Sequence, residues 1–235
     1  MISSRRVFIA SLGALSLSVA AIGKERPIVV TGHKGRVGSV LVPFLQEKGQ
    51  DVAGVDIKDG AEFDIADTSL KSWPAMIRGA SAIVHLAVHQ SKANTLQEAQ
   101  MEENNIRRND TEGSLNVIHV CEEARVPIVF ASSTWTSPAT YGNLDFPAAS
   151  FPINWYGVSK LAIEEAGRHF VRTNGVRFTT IRIGLFDGND APSPTYSSWD
   201  QRIHVSPSRL CELFWSAIRN EGGNGYKQID CVGSA

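Results

Sequence analysis

A short apolar run that leads into a glycine-rich turn constrains the fold of this chain more than any other feature. Residues 27–30 read Pro-Ile-Val-Val, and residues 31–38 read Thr-Gly-His-Lys-Gly-Arg-Val-Gly. A β-branched apolar run before a glycine turn is typical of a buried parallel strand. Apolar residues then recur at helical spacing from Val37 to Leu45, so the turn joins a strand to a helix.

The same alternation continues along the chain. Helical spacing predicts helices within residues 96–125 and 156–172, and short apolar runs predict further strands at residues 52–55, 82–86, 128–130 and 178–183. Strands that alternate with helices of this length predict an α/β fold, a Rossmann-like doubly wound parallel sheet covered on both faces.

This pattern divides the chain into three segments. Residues 1–23 differ in character from the rest, and residues 27–186 are expected to form the Rossmann-like domain. Residues 187–235 are expected to form a short C-terminal substrate-binding region, and whether that region is complete is left open. Its first part, residues 187–208, is rich in Pro, Ser, Asp and Trp, which predicts a surface loop beside a site.

Composition excludes several classes of function. The 235 residues are 43% apolar and 20% charged, which suits one soluble globular domain. The formal net charge is −1 and the 23 basic residues are spread along the chain, so we expect no nucleic-acid partner. Three scattered cysteines and six histidines without metal-ligand spacing predict neither a disulfide framework nor a metal site.

The first 23 residues resemble an export signal. Arg5 and Arg6 precede an uncharged run over residues 7–23, and small residues surround Ala20. This run is shorter than the ~20 residues that a transmembrane helix needs, so we expect no membrane span in the mature protein. The order Ser-Arg-Arg-x-Phe-Ile is similar to a twin-arginine signal, which would direct the protein to the periplasm. The alternative is an N-terminal helix or uncleaved tail on a cytoplasmic protein.

The glycine turn is the first chemical signal. Gly32, Gly35 and Gly38 permit a tight turn at a helix N-terminus, where unpaired amides favour a pyrophosphate. Asp56 follows the second predicted strand, 24 residues after Gly32, which is the position for binding the ribose hydroxyls of a dinucleotide. Arg36 would attract a 2′-phosphate, but Asp56 would repel that phosphate at close range. The turn therefore predicts NAD in preference to NADP.

The second signal is a serine, a tyrosine and a lysine. Tyr156 and Lys160 are four residues apart, so they lie on one face of the predicted helix. A free tyrosine has a pKa of about 10 and is a poor base, and a nearby ammonium group would lower that pKa. Ser133 follows a strand, at the carboxyl edge where open α/β sheets bind their ligands. We expect the three residues to form a catalytic site.

With these motifs, residues 28 to about 210 resemble the extended short-chain dehydrogenase/reductase superfamily, in its NAD-dependent epimerase/dehydratase branch. The resemblance implies that Ser133 holds a substrate oxygen, that Tyr156 exchanges its proton, and that Lys160 binds the nicotinamide ribose. It also implies cofactor contacts from further residues. Among these, Asp64-Ile65 would contact adenine, and Leu86 and Ala87 of the His85-Leu86-Ala87 motif would line the cofactor cleft. The motifs that carry the resemblance are the glycine turn with Val37, Asp56, Asp64-Ile65, His85-Leu86-Ala87, Ser132-Ser133, Tyr156 with Lys160, and Ile181-Arg182-Ile183-Gly184.

One position departs from that family. Its members usually carry an asparagine of the proton relay three residues before a helix glycine. Here Asp110 stands three residues before Gly113, and Asn109 is its neighbour. Which of the two residues takes the place of the asparagine is left open.

Within this branch the chain looks most like the uronate dehydrogenases, which oxidise a hexuronate to a lactone. That likeness implies a small sugar-type substrate, with Gln90, Thr134 and Arg202 as candidate contacts. Two features depart from the group: Thr134-Trp135 follows the serine pair where Asn-His is usual, and the carboxylate-binding arginine has no aligned counterpart, Arg202 being only nearby.

Two classes of function are consistent with these residues. The first is an NAD-dependent oxidoreductase, or an epimerase that oxidises its substrate transiently, acting on a sugar or sugar-acid hydroxyl. The second is a non-catalytic NAD-binding sensor or assembly protein of the same fold. The intact Ser133, Tyr156 and Lys160 favour the first. Members of the family often pair through two long helices, so a homodimer is also possible.

The export signal gives the first testable prediction. Replacing Arg5 and Arg6 together by lysine should leave the precursor in the cytoplasm, because the twin-arginine pathway recognises the paired guanidinium groups. Cell fractionation and N-terminal sequencing of the natural and altered chains measure this. A natural chain found in the cytosol with Met1 intact would contradict the prediction.

Overall fold

The computed structural model of the chain describes residues 26–89, 102–137, 141, 152, 154–219, 223 and 225–233. Within these residues six strands form one sheet in which all neighbours are parallel. The strands are β1 (Ile28–Thr31), β2 (Val52–Val55), β3 (Ala82–His85), β4 (Ile128–Ser133), β5 (Phe178–Ile183) and β6 (Tyr226–Cys231). Their order is β2-β1-β3-β4-β5-β6, which confirms the predicted Rossmann-like α/β fold.

Helices cover both faces of the sheet. They are α1 (Gly38–Glu47), α2 (Ser72–Arg78), α3 (Ser114–Ala124), α4 (Trp155–Asn174), α5 (Ser198–Ile203) and α6 (Pro207–Arg219). Successive strand residues point to opposite faces, so Val29 packs in one core with α2, α3 and α4, and Val30 packs in a second core with α1 and α6.

The C-terminal region differs from the expected surface loop. Residues 187–208 include α5 and the start of α6, and β6 extends the sheet within residues 187–235. Helix α6 buries Leu210, Phe214 and Ala217, which are spaced at helical intervals and pack on α1 and the sheet. Strand β6 lies at the edge of the sheet and exposes several polar side chains, so its sequence lacks the apolar run of the inner strands.

The helix before α3 is partly of the π type. Residues 102–105 are helical, and a π-helix over Ile106–Gly113 continues directly into α3. The predicted helical region at residues 96–125 is therefore present in its described part, and residues 96–101 lie outside the described residues. π-Helices are rare and occur often at functional sites. Among the described residues, no helix is long and apolar enough to cross a membrane.

A buried ion pair and its hydrogen bonds join α4 to the neighbouring strands β4 and β5. The Glu164 carboxylate is fully buried and accepts two hydrogen bonds from Arg182, from Nε at 2.9 Å and from Nη2 at 2.7 Å. The Ser132 hydroxyl donates a third bond to Glu164 at 2.6 Å, and Arg182 also donates to Ser137 at 3.1 Å. Such a forked, charge-assisted arrangement fixes geometry as well as adding energy.

Removing the Glu164 carboxylate should destabilise the fold. The change Glu164→Ala leaves the Arg182 charge buried without its partner, which typically costs about 3–5 kcal/mol in the free energy of unfolding. Urea denaturation followed by circular dichroism measures this loss. The control is Glu165→Ala, since Glu165 is exposed and pairs only at the surface with Arg168. Equal stability of the two variants would contradict the prediction.

Candidate active site

The glycine turn lies against the end of β3. Gly32 has a φ of +70°, and a Cβ there would come within 2.7 Å of the Ala87 amide nitrogen. A Cβ at Gly38 would overlap the His33 carbonyl. Residues with side chains cannot take these two positions without moving the backbone, so the turn closes tightly at the start of α1. This leaves the positive end of the helix facing the carboxyl edge of the sheet.

Asp56 connects the turn to the end of β2. Its two carboxylate oxygens accept backbone hydrogen bonds, Oδ2 from Lys34 at 3.0 Å and Oδ1 from Lys58 at 2.9 Å. The carboxylate is thus held where the sequence places the adenosine ribose of a dinucleotide. The turn and Asp56 together fit NAD.

Arg36 points elsewhere. Its Nη1 donates to the Phe186 carbonyl at 3.2 Å, just beyond β5. Three strands separate β2 from β5 in the sheet, so the guanidinium group is not beside Asp56. The alternative in which Arg36 binds a 2′-phosphate there does not fit this geometry, although Arg36 stays a candidate for other cofactor contacts.

The predicted adenine contacts lie beside the π-helix. Asp64 pairs with Arg108 at 2.6 Å, and Ile65 is buried against Gly113, where a Cβ would come within 2.9 Å of the Ile65 side chain. Gly113 therefore allows the π-helix and the segment after β2 to approach each other. The contact of Asp64 and Ile65 with adenine stays a prediction.

Helix α4 begins close to the end of β4. The Asn154 side chain caps the helix by accepting a bond from the Gly157 amide at 2.7 Å. A Cβ at Gly157 would overlap the Trp135 carbonyl, so this glycine lets the helix approach the turn after β4. That approach brings the Tyr156 side chain close enough to the Ser133 hydroxyl for that hydroxyl to lower the pKa of Tyr156.

Lys160 lies one helical turn further on. It is 3% exposed, and its Nζ lies 5.6 Å from the centre of the Tyr156 ring and 4.9 Å from that of Phe130. The structure therefore brings together the three predicted catalytic residues, Ser133, Tyr156 and Lys160. Their catalytic role stays a prediction.

The pKa of Tyr156 is shifted in the direction opposite to the one that the sequence predicts. The pKa of Tyr156 is raised to about 12, because burial and the negative charge of Asp110, which both raise it, outweigh the Ser133 hydroxyl, which lowers it. Burial lowers the pKa of Lys160, whereas Asp110 and Glu164 raise it. Burial and the Asp110 charge thus raise the pKa of Tyr156 in the chain itself, where the sequence predicts that Lys160 lowers it.

The π-helix places the two relay candidates in different surroundings. Asp110 is 1% exposed and interacts with Lys160 and Tyr156, whereas Asn109 is partly exposed and accepts a hydrogen bond from its neighbour Arg108. Asp110 therefore occupies the inner position. Burial raises the pKa of Asp110, and the Lys160 charge and the His89 amide lower it.

His85 makes a set of buried contacts that the sequence did not indicate. Its Nδ1 lies 2.6 Å from the Thr31 hydroxyl, its Nε2 lies 2.8 Å from the Ser114 hydroxyl, and its ring stacks on Phe130. Burial first, and the Lys160 charge second, lower its pKa to about 3. A neutral His85 thus joins β1, β3 and α3 beneath the site. Because Thr31 and Ser114 lie far from His85 in the sequence, no local sequence pattern predicts these hydrogen bonds.

The candidate substrate contacts have different surroundings. Thr134 is only 1% exposed, whereas Trp135 beside it is partly exposed and meets the Trp199 ring edge-on at 5.5 Å. Arg202 is exposed on α5. Gln90 lies outside the described residues. Among the described residues, no three His, Cys, Asp or Glu side chains group as metal ligands do.

The chain is similar to known reductases and epimerases. Residues 28–204 match the sequence pattern of the NAD dependent epimerase/dehydratase family. Dihydroflavonol 4-reductase from Solanum lycopersicum is 28% identical over 190 residues, which cover 67% of this chain and 49% of the relative. UDP-glucose 4-epimerase from Streptococcus mutans is 29% identical over 170 residues, which cover 66% of this chain and 50% of the relative. The chain thus spans about half the length of these relatives.

Solved structures share the fold. A short-chain dehydrogenase/reductase superfamily protein from Agrobacterium tumefaciens with bound NAD is 18% identical, with a TM-score of 0.70 over 88% of this chain and 77% of that one. A mutant uronate dehydrogenase from the same species in complex with NAD is 21% identical, with a TM-score of 0.64 over 89% and 77%. The match over residues 28–204 shows that this chain belongs to the NAD dependent epimerase/dehydratase family.

Proposed function

We propose that the protein is an NAD-dependent oxidoreductase or epimerase that acts on a sugar or sugar acid at a Ser133-Tyr156-Lys160 site. One observation carries the proposal. The Ser133 hydroxyl and the Tyr156 phenol interact beside a buried lysine, at the same sheet edge as the glycine turn. This is the edge at which open α/β sheets bind their ligands.

Residues of the chain fit the cofactor of the family. The glycine turn would hold the pyrophosphate, Asp56 the adenosine ribose and Lys160 the nicotinamide ribose. Bound NAD would supply reversible hydride transfer, which no amino-acid side chain provides.

The chain's own residues would move the proton and orient the substrate. The Ser133 hydroxyl would bind the substrate oxygen that also meets Tyr156. The Tyr156 hydroxyl would give its proton to that oxygen or take the proton from it, depending on the direction of reaction. Lys160 would hold a positive charge beside the phenol and favour the phenolate when it forms.

A sugar-type substrate is supported by the relatives and by the site. UDP-glucose 4-epimerase is among the similar sequences, and uronate dehydrogenase is among the similar structures. The edge-on pair of Trp135 and Trp199, of which Trp135 follows Ser133 by two residues, offers apolar surface for a compact ring, and Arg202 stays a candidate contact for an acid group.

Two alternatives are distinguished by the same screen. Sugars, uronates and nucleotide sugars are offered with NAD while NADH absorbance is followed. An oxidoreductase accumulates NADH, an epimerase isomerises its substrate without net NADH, and a non-catalytic NAD-binding sensor does neither. Export to the periplasm and formation of a homodimer stay predictions.

Asp56 should set the choice of cofactor. The natural chain should bind NAD much more tightly than NADP, because the carboxylate bonds the ribose hydroxyls and repels a 2′-phosphate. Asp56→Ala should narrow that difference, as measured by calorimetric titration with each cofactor. Glu62→Ala removes an exposed carboxylate from the following turn and should leave the difference unchanged. Equal affinity of the natural chain for both cofactors would overturn the assignment.

Tyr156 should be required for chemistry and not for cofactor binding. Tyr156→Phe removes the proton-transfer group and should lower kcat by about 10²–10⁴-fold, with NAD affinity nearly unchanged. Steady-state kinetics on the substrate found in the screen, with calorimetry for NAD, measure both.

The matched control for that change is Tyr226→Phe. The Tyr226 hydroxyl donates to Thr180 on β5, so its loss tests the removal of a partly buried tyrosine hydroxyl outside the site. The change Tyr226→Phe should leave kcat within about twofold of the natural value, since the Tyr226 hydroxyl makes no contact with the transition state. A Tyr156→Phe enzyme with full turnover would falsify the catalytic assignment.

A further inference from the structure

The ammonium group of Lys160 lies over two aromatic rings in the interior of the site. Its Nζ is 4.9 Å from the centre of the Phe130 ring and 5.6 Å from the centre of the Tyr156 ring, and the residue is 3% exposed. Both distances are within the ~6 Å at which an aromatic face attracts a cation. Tyr156 already has a proposed role in proton transfer, whereas Phe130 has none.

Phe130 presents its ring to Lys160 in a fixed orientation. The residue lies on β4 and is fully buried. Its ring stacks on that of His85, with the ring centres 5.8 Å apart and the planes inclined by 26°. Both ring nitrogens of His85 have hydrogen-bond partners, Thr31 at 2.6 Å and Ser114 at 2.8 Å. Because these contacts fix His85, they also limit how far the Phe130 ring can turn.

The two carboxylates near Lys160 have other partners or an unpaired oxygen. Glu164 accepts hydrogen bonds from Arg182 and from Ser132 on β4. Oδ1 of Asp110 accepts a bond from a backbone amide, and Oδ2 of Asp110 has no hydrogen-bond partner among the described residues. Lys160 therefore donates no bond to that free oxygen, and its contacts with the two rings define where the ammonium group lies.

Burial acts against the positive charge of Lys160. It lowers the pKa of Lys160, whereas the charges of Asp110 and Glu164 raise it. His85 adds no positive charge, since burial and the Lys160 charge lower its pKa to about 3. Tyr156 faces Lys160 as a neutral phenol, because its pKa is raised to about 12. Unlike a carboxylate, a neutral ring favours the ammonium form without cancelling its charge.

We infer that Phe130 is a positioning residue of this site, whose ring face fixes the ammonium group of Lys160 and keeps that group charged beside Tyr156. The inference rests on the proposed function, in which a charged Lys160 binds the nicotinamide ribose and favours the phenolate. Phe130 needs no contact with cofactor or substrate for this role, because it acts through Lys160.

Fluorination of the Phe130 ring tests the inference, because fluorine withdraws electron density from the ring face and leaves the shape of the side chain nearly unchanged. Phenylalanine with one, two or three ring fluorines is incorporated at position 130 of the full chain. Lysines are labelled with ¹³C at Cε, and Lys160→Arg identifies the Lys160 signal. Its titration midpoint should fall with each fluorine, and by about one pH unit with three, since a desolvated cation–π contact is worth about that much. An unmoved midpoint would overturn the inference.

The matched control has the same fluorinated residues at position 44. Nζ of Lys48 lies 4.8 Å from the centre of the Phe44 ring on α1, so this is a contact of the same kind outside the site. Fluorination there should leave the Lys160 midpoint unchanged, and an equal fall in both series would contradict the role of Phe130. Urea denaturation of each chain checks that the fold is retained.

Cofactor affinity connects this contact to the proposed function. At pH values above both Lys160 midpoints, the chain with three fluorines at position 130 should bind NAD about tenfold more weakly than the natural chain, because about tenfold fewer of its molecules carry a charged Lys160. Below both midpoints the two chains should bind NAD equally. Calorimetric titration across this pH range measures the ratio of the two affinities.

Two results of that titration would overturn the positioning role. One is weaker NAD binding by the same factor at every pH, which indicates a structural effect of fluorine alone. The other is natural NAD affinity at every pH although the Lys160 midpoint has moved. If the natural chain binds no NAD, the proposed function fails, and the Lys160 midpoints still decide whether Phe130 keeps the ammonium group charged.

Discussion

The candidate site depends on the buried carboxylate of Glu164. Helix α4 carries Tyr156 and Lys160, and one turn later Glu164 holds the helix to Ser132 on β4 and to Arg182 on β5. Charges in a protein interior are tolerated only with well-placed partners. A small slide or rotation of α4 would break three charge-assisted bonds at once, so the phenol is held in register with the serine at the end of β4. The reactive groups are thus aligned by a contact that touches neither cofactor nor substrate.

Three glycines, which have no side chain, set the other critical distances. Gly32 lets the first turn meet the end of β3, Gly113 lets the π-helix meet Ile65, and Gly157 lets α4 meet the turn after β4. At each point backbone approaches its neighbour more closely than a Cβ would allow. A cleft built in this way is narrow and rigid where it would hold a dinucleotide, because close-packed backbone yields less than a flexible side chain.

The sequence alone predicted what local patterns encode. Apolar runs located the inner strands, and the rule that parallel strands end at one edge placed Asp56 and Ser133 at the carboxyl edge of the sheet. The rest depends on contacts between distant segments. Arg182 meets Glu164 only after β5 and α4 pack together, and Thr134 is buried only once α4 covers the turn after β4. Strand β6 was missed because an edge strand is polar, and Arg36 reaches the end of β5 for reasons that no local pattern records.

The π-helix also bears on how positions are compared between related chains. In an α-helix each residue adds about 100° of rotation, so the number of residues between two side chains fixes the angle between them around the helix axis. Wider turns break that equivalence, and residues before Ile106 are turned relative to those after Gly113 by an amount that their numbering does not show. An alignment column on the N-terminal side can therefore contain side chains that face the sheet in one protein and solvent in another. Across a π-helix, two aligned residues are equivalent only if their side chains point in the same direction, and sequence spacing alone does not give that direction.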